Sequence, residues 1–347
     1  MQKQTVDKLQ KKLLLWYEDK GRKDLPWRNL QSTRCDNRLK QIDRAYGVYI
    51  SEIMLQQTQV KSVLERFYFP FLQKFPTLQS LASANEDELL KAWQGLGYYT
   101  RARNLKKAAL ECMEKFGGVL PKEPEKLKSL SGIGAYTAGA IACFAYDQKV
   151  AFVDGNIRRV LSRLFTLKNA NMKELELKAY KILNLNDAFN HNQALLDIGA
   201  LICLPKNPKC GICPLYDFCK AKFNPHSYPE NKKIVYEKLN LALVFYIYKD
   251  QIAVEKSQEK LYKNMYNFPL FKQNEFKKQK NMIFLREFKH SYTKYRLDIK
   301  IYCQILKDQT GFEFKKINEL SHIALSALSL KALEIYKSKN ILLKAKE

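Results

Sequence analysis

Four cysteines within 17 residues constrain this chain more than any other feature of its sequence. They form a C-x6-C-x2-C-x5-C array that comprises Cys203, Cys210, Cys213 and Cys219. Thiolates are the ligands of iron–sulfur clusters, and four of them in so short a segment can surround one cubane. Structural zinc sites usually combine two short knuckles, and only Cys210 and Cys213 have that spacing. The array therefore predicts a [4Fe–4S] cluster, with zinc, disulfides and unligated thiols as alternatives.

Length and hydrophobic periodicity predict two domains. The chain has 347 residues, which is long for one hydrophobic core. Residues 1–220 are predicted to be all-helical, because apolar residues recur there at spacings of three and four. The predicted helices are Val6–Tyr17, Tyr46–Tyr68, Glu86–Trp93, Arg101–Phe116, Tyr136–Ala145, Asn156–Leu167 and Lys173–Leu183.

A second domain is predicted at 239–347, after a linker at 221–238 that is rich in Pro and Lys. Runs of Val, Ile, Tyr and Phe at strand length predict a small α+β domain there. The predicted strands are Leu239–Tyr248, Gln251–Glu255, Met282–Glu287 and Tyr295–Ile305, with a helix at Ser326–Tyr336.

The charge of the chain favours a polyanionic partner. Lys and Arg number 60 against 35 Asp and Glu, for a net charge of +25. A genome rich in A and T would also raise the lysine content. No apolar run is long enough for a signal peptide or a membrane span. We therefore expect an intracellular, cytoplasmic protein without a membrane partner, where reducing conditions leave cysteines available for metal.

Two glycines stand in a tight turn before a helix of small residues. Gly132 and Gly134 lie in the segment LSGIGAYTAG at 130–139. This pattern predicts a helix–hairpin–helix, in which backbone N–H groups and the helix dipole can bind a DNA phosphate. The alternative is a turn that serves only helix packing.

Two carboxylates are candidates for chemistry. Asp154 lies at a predicted helix N-cap, where backbone N–H donors favour the ionised form; plain capping is the alternative. Glu52 lies in a helix with mostly apolar neighbours, so that desolvation should raise its pKa toward neutrality; an ion pair is the alternative. An acid and a charge-stabilising carboxylate in unlike environments are the pair that breaks glycosidic bonds.

Five segments occur together in one order: SEIMLQQTQV at 51–60, WQGLGYYTRARNL at 93–105, LSGIGAYTAGAI at 130–141, VDGNIRRVL at 153–161, and the cysteine array. With LPWR at 25–28, they resemble the MutY family of adenine DNA glycosylases over residues 5–220. The resemblance implies a mainly α fold: a helix–hairpin–helix glycosylase domain with a [4Fe–4S] loop, plus a C-terminal α+β Nudix-like domain. Residues 240–335 match more loosely.

The resemblance also implies a reaction. Adenine mispaired with 8-oxoguanine or guanine in double-stranded DNA would be flipped into a pocket and released by hydrolysis. Glu52 would protonate N7 of the base, Asp154 would stabilise the oxocarbenium-like sugar, and Tyr136 and Asn156 would support them. We expect a monomer that is associated with the nucleoid when bound to DNA.

Further site residues follow from the same resemblance. Leu25, Trp27 and Arg28 would wall the adenine pocket, and Gln57 and Thr58 would enter the gap or touch the opposite purine. Leu96 and Tyr98 would wedge against the lesion pair. Arg101, Gly132 and Gly134 would bind phosphates. Gln193 occupies a position where some relatives carry a second pocket carboxylate. In the C-terminal domain, which lacks a Nudix box, Tyr292, Thr293 and Lys294 stand where relatives carry a Phe-Ser-His lesion-reading loop. An insertion at Asn29–Arg44 has no function assigned.

Two other classes of function remain open at this stage. The related endonuclease III family shares the fold, the cluster and the aspartate, but it carries a nucleophilic lysine where this chain has Tyr136. Tyrosine cannot form a Schiff base, which disfavours a lyase. The non-enzymatic alternative is a DNA-binding or redox-sensing protein with a cluster, in which Glu52 and Asp154 would be incidental.

Overall fold

The computed structural model describes residues 2–230, 235–258, 262–292, 294–309 and 311–339. It divides into two compact units, one of Met1–Ser83 with Asn104–Lys232 and one of Ala84–Arg103 with Lys233–Glu347. The boundaries read from the sequence, at residues 220 and 239, stay a prediction. The structure differs from the predicted division in one respect: residues 84–103 group with the C-terminal segment. Among the described residues, none of the helices has the length and apolar character needed to cross a bilayer.

Helices dominate the chain up to residue 220. The helices of the described residues are α1 Lys3–Lys20, α2 Arg44–Leu55, α3 Val60–Ser62, α4 Tyr68–Lys74, α5 Leu78–Ala82, α6 Glu86–Ala92, α7 Thr100–Lys115, α8 Pro124–Lys128, α9 Ala135–Tyr146, α10 Gly155–Phe165, α11 Met172–Ile182, α12 Ala188–Asp197 and α13 Ala327–Ser338. Many of them begin at a side chain that accepts a backbone N–H bond, as Asp43 does for α2 and Asp187 for α12. The predicted all-helical character is confirmed.

The helix predicted at Tyr46–Tyr68 is wrong as a single element. Helix α2 ends at Leu55, and the chain becomes helical again only at Val60. Between them Gln57 has φ +57°, a left-handed conformation that ends the helix. No Gly or Pro marks this break, so the sequence pattern could not show it. The four polar residues at 56–59 consequently face a cavity instead of continuing a helix.

Helices α2 and α9 pack against each other in the core of the first unit. Almost every residue of α9 is buried, because its Ala and Gly residues let neighbouring elements approach. A Cβ at Gly139 would lie 2.8 Å from Cβ of Phe152. This close packing fixes the distance between the polar residues that the two helices carry, Glu52 on α2 and Tyr136 on α9.

The second unit contains a mixed sheet. Its strands are β1 Glu237–Tyr248, β2 Gln251–Lys256, β3 Tyr266–Asn267, β4 Leu270–Lys272, β5 Ile283–Tyr292, β6 Tyr295–Ile305 and β7 Glu313–Lys316. The order is β3-β2-β1-β6-β5, with β4 on β1 and β7 on β2; β1 and β6 are parallel and β5 and β6 antiparallel. Helix α13 packs on the sheet through Tyr336, whose ring centre lies 4.8 Å from that of Phe245. Strand β5 runs to Tyr292, five residues past its predicted end, and the short strands β3, β4 and β7 were not predicted.

A buried ion cluster joins the end of α12 to the segment after α1. The side chain of Asp197 has no exposed surface and accepts bonds from Arg28 Nη1 and Nη2, both at 2.9 Å. Arg22 adds bonds from its backbone N (2.8 Å) and from Nε (2.8 Å). Burial acts to raise the pKa of Asp197, but the bonds and charges of the two arginines hold it below its ordinary value. The cluster sets the position of the LPWR segment against α12.

We predict that Asp197→Asn lowers the free energy of unfolding by about 3 to 5 kcal/mol, because it leaves the buried Arg28 guanidinium without a counter-charge. Denaturant unfolding followed by circular dichroism measures the change. Asp217→Asn is the matched control, since Asp217 pairs with Lys12 on the surface and its loss should not be measurable. Equal stabilities of the two variants would contradict the prediction.

Candidate active site and iron–sulfur loop

One cavity of about 1040 Å³ collects most of the residues singled out from the sequence. Its size lies at the upper end of the range for small-molecule pockets. The predicted site residues that line it are Leu25, Trp27, Arg28, Glu52, Gln57, Thr58, Gly132, Gly134, Tyr136, Asp154, Asn156 and Gln193. They come from five separate segments of the first unit, and only folding brings them together.

Glu52 is the buried carboxyl group of this cavity. Its side chain is in the last turns of α2, 6% exposed, and Oε2 accepts a bond of 2.6 Å from the Tyr136 hydroxyl. Burial raises the pKa of Glu52 to about 7; the Tyr136 bond opposes this shift, and the charge of Asp154 adds to it. The group can therefore be protonated near neutral pH, as expected from its apolar surroundings.

Tyr136 is the hydrogen-bond donor to that carboxyl group. Burial raises its pKa well above the ordinary value, and the charges of Glu52 and Asp154 act in the same direction. Its ring packs edge-to-face on Phe152, with the centres 5.5 Å apart. A phenol held in this way stays neutral and orients Glu52, and it offers no amine for covalent attack.

Asp154 caps the N-terminus of α10, as the sequence pattern indicates. Its Oδ1 accepts a bond of 2.6 Å from the backbone N of Ile157, and its Oδ2 accepts one of 3.0 Å from Asn156 Nδ2. Burial raises the pKa of Asp154, and these bonds oppose the rise. The N-cap donors thus limit the shift but do not reverse it, contrary to an expectation based on capping alone.

A chain of hydrogen bonds runs from Asp154 to the cysteine loop. Asn156 donates to Asp154, and its own Oδ1 accepts from Arg159 Nη2 at 3.0 Å. Arg159 also donates to the carbonyl groups of Cys203 (2.7 Å) and Gly199 (2.6 Å). Arg159 was not predicted as a site residue, since one arginine in a basic helix carries no signal of its own.

The four cysteines of the array line a second, apolar cavity. Arg163 lies beneath it and donates to Sγ of Cys203 (3.3 Å) and to the carbonyl of Leu204 (2.7 Å). Burial raises the pKa of Cys213 to about 12 and also raises that of Cys219. Thiols so buried become thiolates only beside a strong positive charge, which metal coordination supplies. The residues present therefore fit a cluster held by Cys203, Cys210, Cys213 and Cys219.

The predicted wall of the base pocket is assembled around fixed side chains. Trp27 is 6% exposed and packs edge-to-face on Tyr68, with ring centres 5.2 Å apart. The Arg28 guanidinium is held by Asp197, while Gln193 is buried at the cavity. Asp197 was missed in the sequence, although a lone acidic residue in the apolar segment ALLDIGALI was a usable signal.

The predicted hairpin lies between α8 and α9. Gly132 has φ +78°, and a Cβ there would lie 2.6 Å from Cβ of Asn104, so only glycine fits. Glu111 holds the turn by accepting bonds of 2.7 Å from the backbone N and the hydroxyl of Ser131. A Cβ on Gly134 would meet no atom within 4 Å, so its backbone is open to a ligand.

The other predicted site residues do not line this cavity. Leu96, Tyr98, Arg101 and Tyr292 lie in the second unit, and Thr293 is outside the described residues. Leu96 is buried, and Arg101 donates bonds of 3.1 Å to the carbonyls of Leu96 and Gly97. Arg101 thus supports the loop that carries Tyr98, and its contact with a DNA phosphate stays a prediction.

Comparison with known proteins supports this site. Residues 50–184 match the HhH-GPD superfamily of base excision DNA repair proteins, and residues 203–219 match the iron–sulfur binding domain of endonuclease III. The [4Fe–4S] cofactor predicted from the cysteine array is thereby confirmed.

Similar structures and sequences agree with these matches. A thermostable thymine-DNA glycosylase has a TM-score of 0.56 and 27% identity, over 63% of this chain and 97% of that one. A non-covalent endonuclease III–DNA complex has a TM-score of 0.53 and 20% identity, over 64% and 97%, and shows the fold alone. An adenine DNA glycosylase of Homo sapiens is 41% identical over 216 residues, 60% of this chain and 38% of that protein.

Two bacterial relatives extend the likeness into the C-terminal part. Adenine DNA glycosylases of two Buchnera aphidicola strains, from the subspecies Baizongia pistaciae and Schizaphis graminum, are 40% and 36% identical over 296 and 307 residues. These alignments span 80% and 83% of this chain, and 80% and 84% of those proteins. The chain therefore belongs to the adenine DNA glycosylase family.

Proposed function

We propose that this chain releases adenine from double-stranded DNA where the adenine is mispaired with 8-oxoguanine or guanine. The nucleotide leaves the base stack and enters the cavity, because its reacting bond is out of reach within a duplex. The observation that carries the proposal is the presence of Glu52 and Asp154 in one cavity, where burial raises the pKa of Glu52 to about 7. Family membership supports the choice of adenine as the base.

The two carboxyl groups divide the reaction between them. Glu52 gives its proton to N7 of the adenine, which turns the base into a neutral leaving group as the bond from N9 to the sugar breaks. Asp154, as an anion, stabilises the positive charge that develops on the sugar. Water then adds to the sugar carbon and returns a proton to Glu52. Tyr136 orients Glu52 throughout, and Asn156 orients Asp154.

Several groups around this pair support binding. Leu25, Trp27 and Gln193 wall the cavity, and Gly134 presents open backbone at the N-terminus of α9, where a phosphate binds favourably, while Gly132 permits the turn that precedes it. The four cysteines would hold a [4Fe–4S] cluster, which would crosslink the loop 203–219 through iron–thiolate bonds. Arg159 and Arg163 connect that loop to α10, which carries Asp154.

The second unit supplies residues for the opposite base. We assign the sheet domain at 239–347 to lesion recognition, with Tyr292 and Thr293 as its reading residues and Leu96 and Tyr98 as the wedge. We assign to Gln57 and Thr58, which line the cavity at the break after α2, the role of entering the gap left by the adenine. Inserted side chains offset part of the unstacking cost, which is a few kcal/mol.

Replacement of Glu52 by Gln tests the assigned acid. We expect single-turnover release of adenine to fall about 100- to 10,000-fold, because an amide cannot supply the proton. Binding to the mispaired duplex should persist, since the shape of the cavity is kept. Glu125→Gln is the matched control, because Glu125 is exposed and pairs only with Lys128. Unchanged release by Glu52→Gln would reject the assigned role.

The pH dependence of the rate provides an independent test. The pKa of Glu52 is raised to about 7, so the acid is protonated below that pH and the rate should fall as the pH rises through it. Asp154 must be ionised, and its raised pKa places the loss of activity on the acid side above the ordinary range of an aspartate. The measurement is the single-turnover rate of the wild-type protein as a function of pH. A rate that stays constant between pH 6 and pH 9 would contradict the assignment.

Borohydride trapping separates this function from that of a lyase. Because Tyr136 has no amine, the wild-type protein should form no reducible Schiff base with DNA that contains a damaged pyrimidine or an adenine mispair. An endonuclease III-type lyase serves as the positive control in the same gel. Efficient covalent capture of this chain on a pyrimidine lesion would favour the lyase instead.

A further inference from the structure

Four tyrosines and a histidine meet in the second unit. This tyrosine cluster comprises Tyr98, Tyr99, Tyr262, His290 and Tyr292. The ring centres of Tyr98 and Tyr292 are 6.2 Å apart with the planes 31° from parallel, and those of Tyr262 and Tyr292 are 5.3 Å apart. Rings at these distances attract each other beyond the area that they bury. Tyr292 thus lies between the loop of Tyr98 and Tyr262.

Tyr262 is the buried member that supports Tyr292. It is 6% exposed, whereas Tyr98 and Tyr292 are only partly buried. Its hydroxyl lies 3.4 Å from Nε2 of His290. His290 and Tyr292 are two residues apart on β5, so their side chains point to the same face of the strand. The Tyr262–His290 pair therefore backs the ring of Tyr292 from within the unit.

Lys294, two residues after Tyr292, has a different partner. It stands where members of the resembled family carry a histidine, and its Nζ lies 2.9 Å from the Glu237 carboxylate. It is more than half exposed in this ion pair. The imidazole and hydroxyl groups around Tyr292 come instead from His290 and Tyr262.

The loop of Tyr98 is also held in place. Trp93 Nε1 donates to the carbonyl of Gly97 at 3.0 Å, and Gln94 Nε2 donates to that of Leu325 at 2.9 Å. Arg103 ties α7 to Glu86 of α6 at 3.0 Å. Tyr98 itself has φ +49°, a left-handed conformation that costs free energy for a residue other than glycine and that these contacts maintain. Both partly buried rings are thus pre-positioned within one unit.

We propose that Tyr262 and His290 are a positioning pair that holds Tyr292 against Tyr98 and thereby sets the preference for 8-oxoguanine over guanine opposite adenine. The inference rests on the proposed function and names residues that it leaves unassigned. 8-Oxoguanine differs from guanine by an N7–H donor and an O8 acceptor, whereas guanine has only an N7 acceptor at that edge. A hydroxyl can donate to O8 or accept from N7–H of 8-oxoguanine, whereas toward guanine it can only donate to N7, so a phenol whose oxygen is fixed beside O8 or N7–H loses its partner when guanine takes the place of the oxidised base. A displaced Tyr292 loses this difference while the chemistry at Glu52 is unaffected.

The test compares single-turnover release of adenine opposite 8-oxoguanine and opposite guanine, in the full-length protein with its cluster. Tyr262→Phe keeps the ring and removes the bond to His290. We expect the ratio of the two rates to fall about 3- to 10-fold, the worth of one hydrogen bond, with the rate opposite guanine within about 2-fold of wild type. Tyr262→Leu, which also removes the ring contact, should lower the ratio further. His290→Gln is the second variant and should resemble Tyr262→Phe.

Tyr248→Phe is the matched control, because Tyr248 lies at the opposite end of β1 from Glu237 and hence from Tyr292. Its ratio should equal that of wild type. Three outcomes would overturn this inference and leave the proposed function standing. They are an unchanged ratio in Tyr262→Phe and His290→Gln, a parallel fall of both rates, and a wild-type protein that shows no preference between the two duplexes. If wild type releases adenine from neither duplex, the proposed function itself fails. Melting curves of each variant confirm that the compared proteins are folded.

Discussion

Helix α10 is the element on which the site depends, because one short helix holds both Asp154, the carboxylate proposed to stabilise the sugar, and the cysteine loop. Asp154 caps its first turn, Arg159 reaches the carbonyl of Cys203 from its middle, and Arg163 contacts the Cys203 sulfur from its end. The half-buried guanidinium of Arg159 and the buried one of Arg163 satisfy loop carbonyls that would otherwise lack partners, which is costly in a protein interior. A shift of the loop would therefore move the helix terminus that orients Asp154.

Desolvation then separates the roles of two carboxyl groups in the same cavity. Glu52, on α2, loses water to the packing of α2 on α9, so its pKa rises to about 7. Asp154 is also buried, but it receives bonds from Ile157 and Asn156 that favour its anion. The charge of one raises the proton affinity of the other. Two carboxyl groups can thus favour different protonation states in one cavity, because their surroundings differ.

Much of the fold and of the candidate site could be predicted from local sequence, and the features that were not predicted have physical causes. Helix caps, the Gly132 turn and the cysteine spacing are local features, so Asp154 and the metal loop were recognised from short segments. The break at Gln57 was missed because no helix-breaking residue marks it, and its left-handed conformation is visible only in the folded chain. Asp197 and Arg159 were missed because a buried charge shows its role only through a partner far along the chain, Arg28 in the first case and Cys203 in the second.

Local sequence was enough to predict the helical class of the first 220 residues, the cysteines of the cluster loop and the residue types proposed for the acid and the anion. These properties follow from periodicity, spacing and side-chain chemistry, which need no knowledge of distant contacts. Only the tertiary structure decided that Glu52 loses its water, that Tyr136 donates to it, and that Tyr262 stands behind Tyr292. Each of these depends on side chains brought together across a long stretch of chain, and solvation and ring contacts exist only after that packing forms.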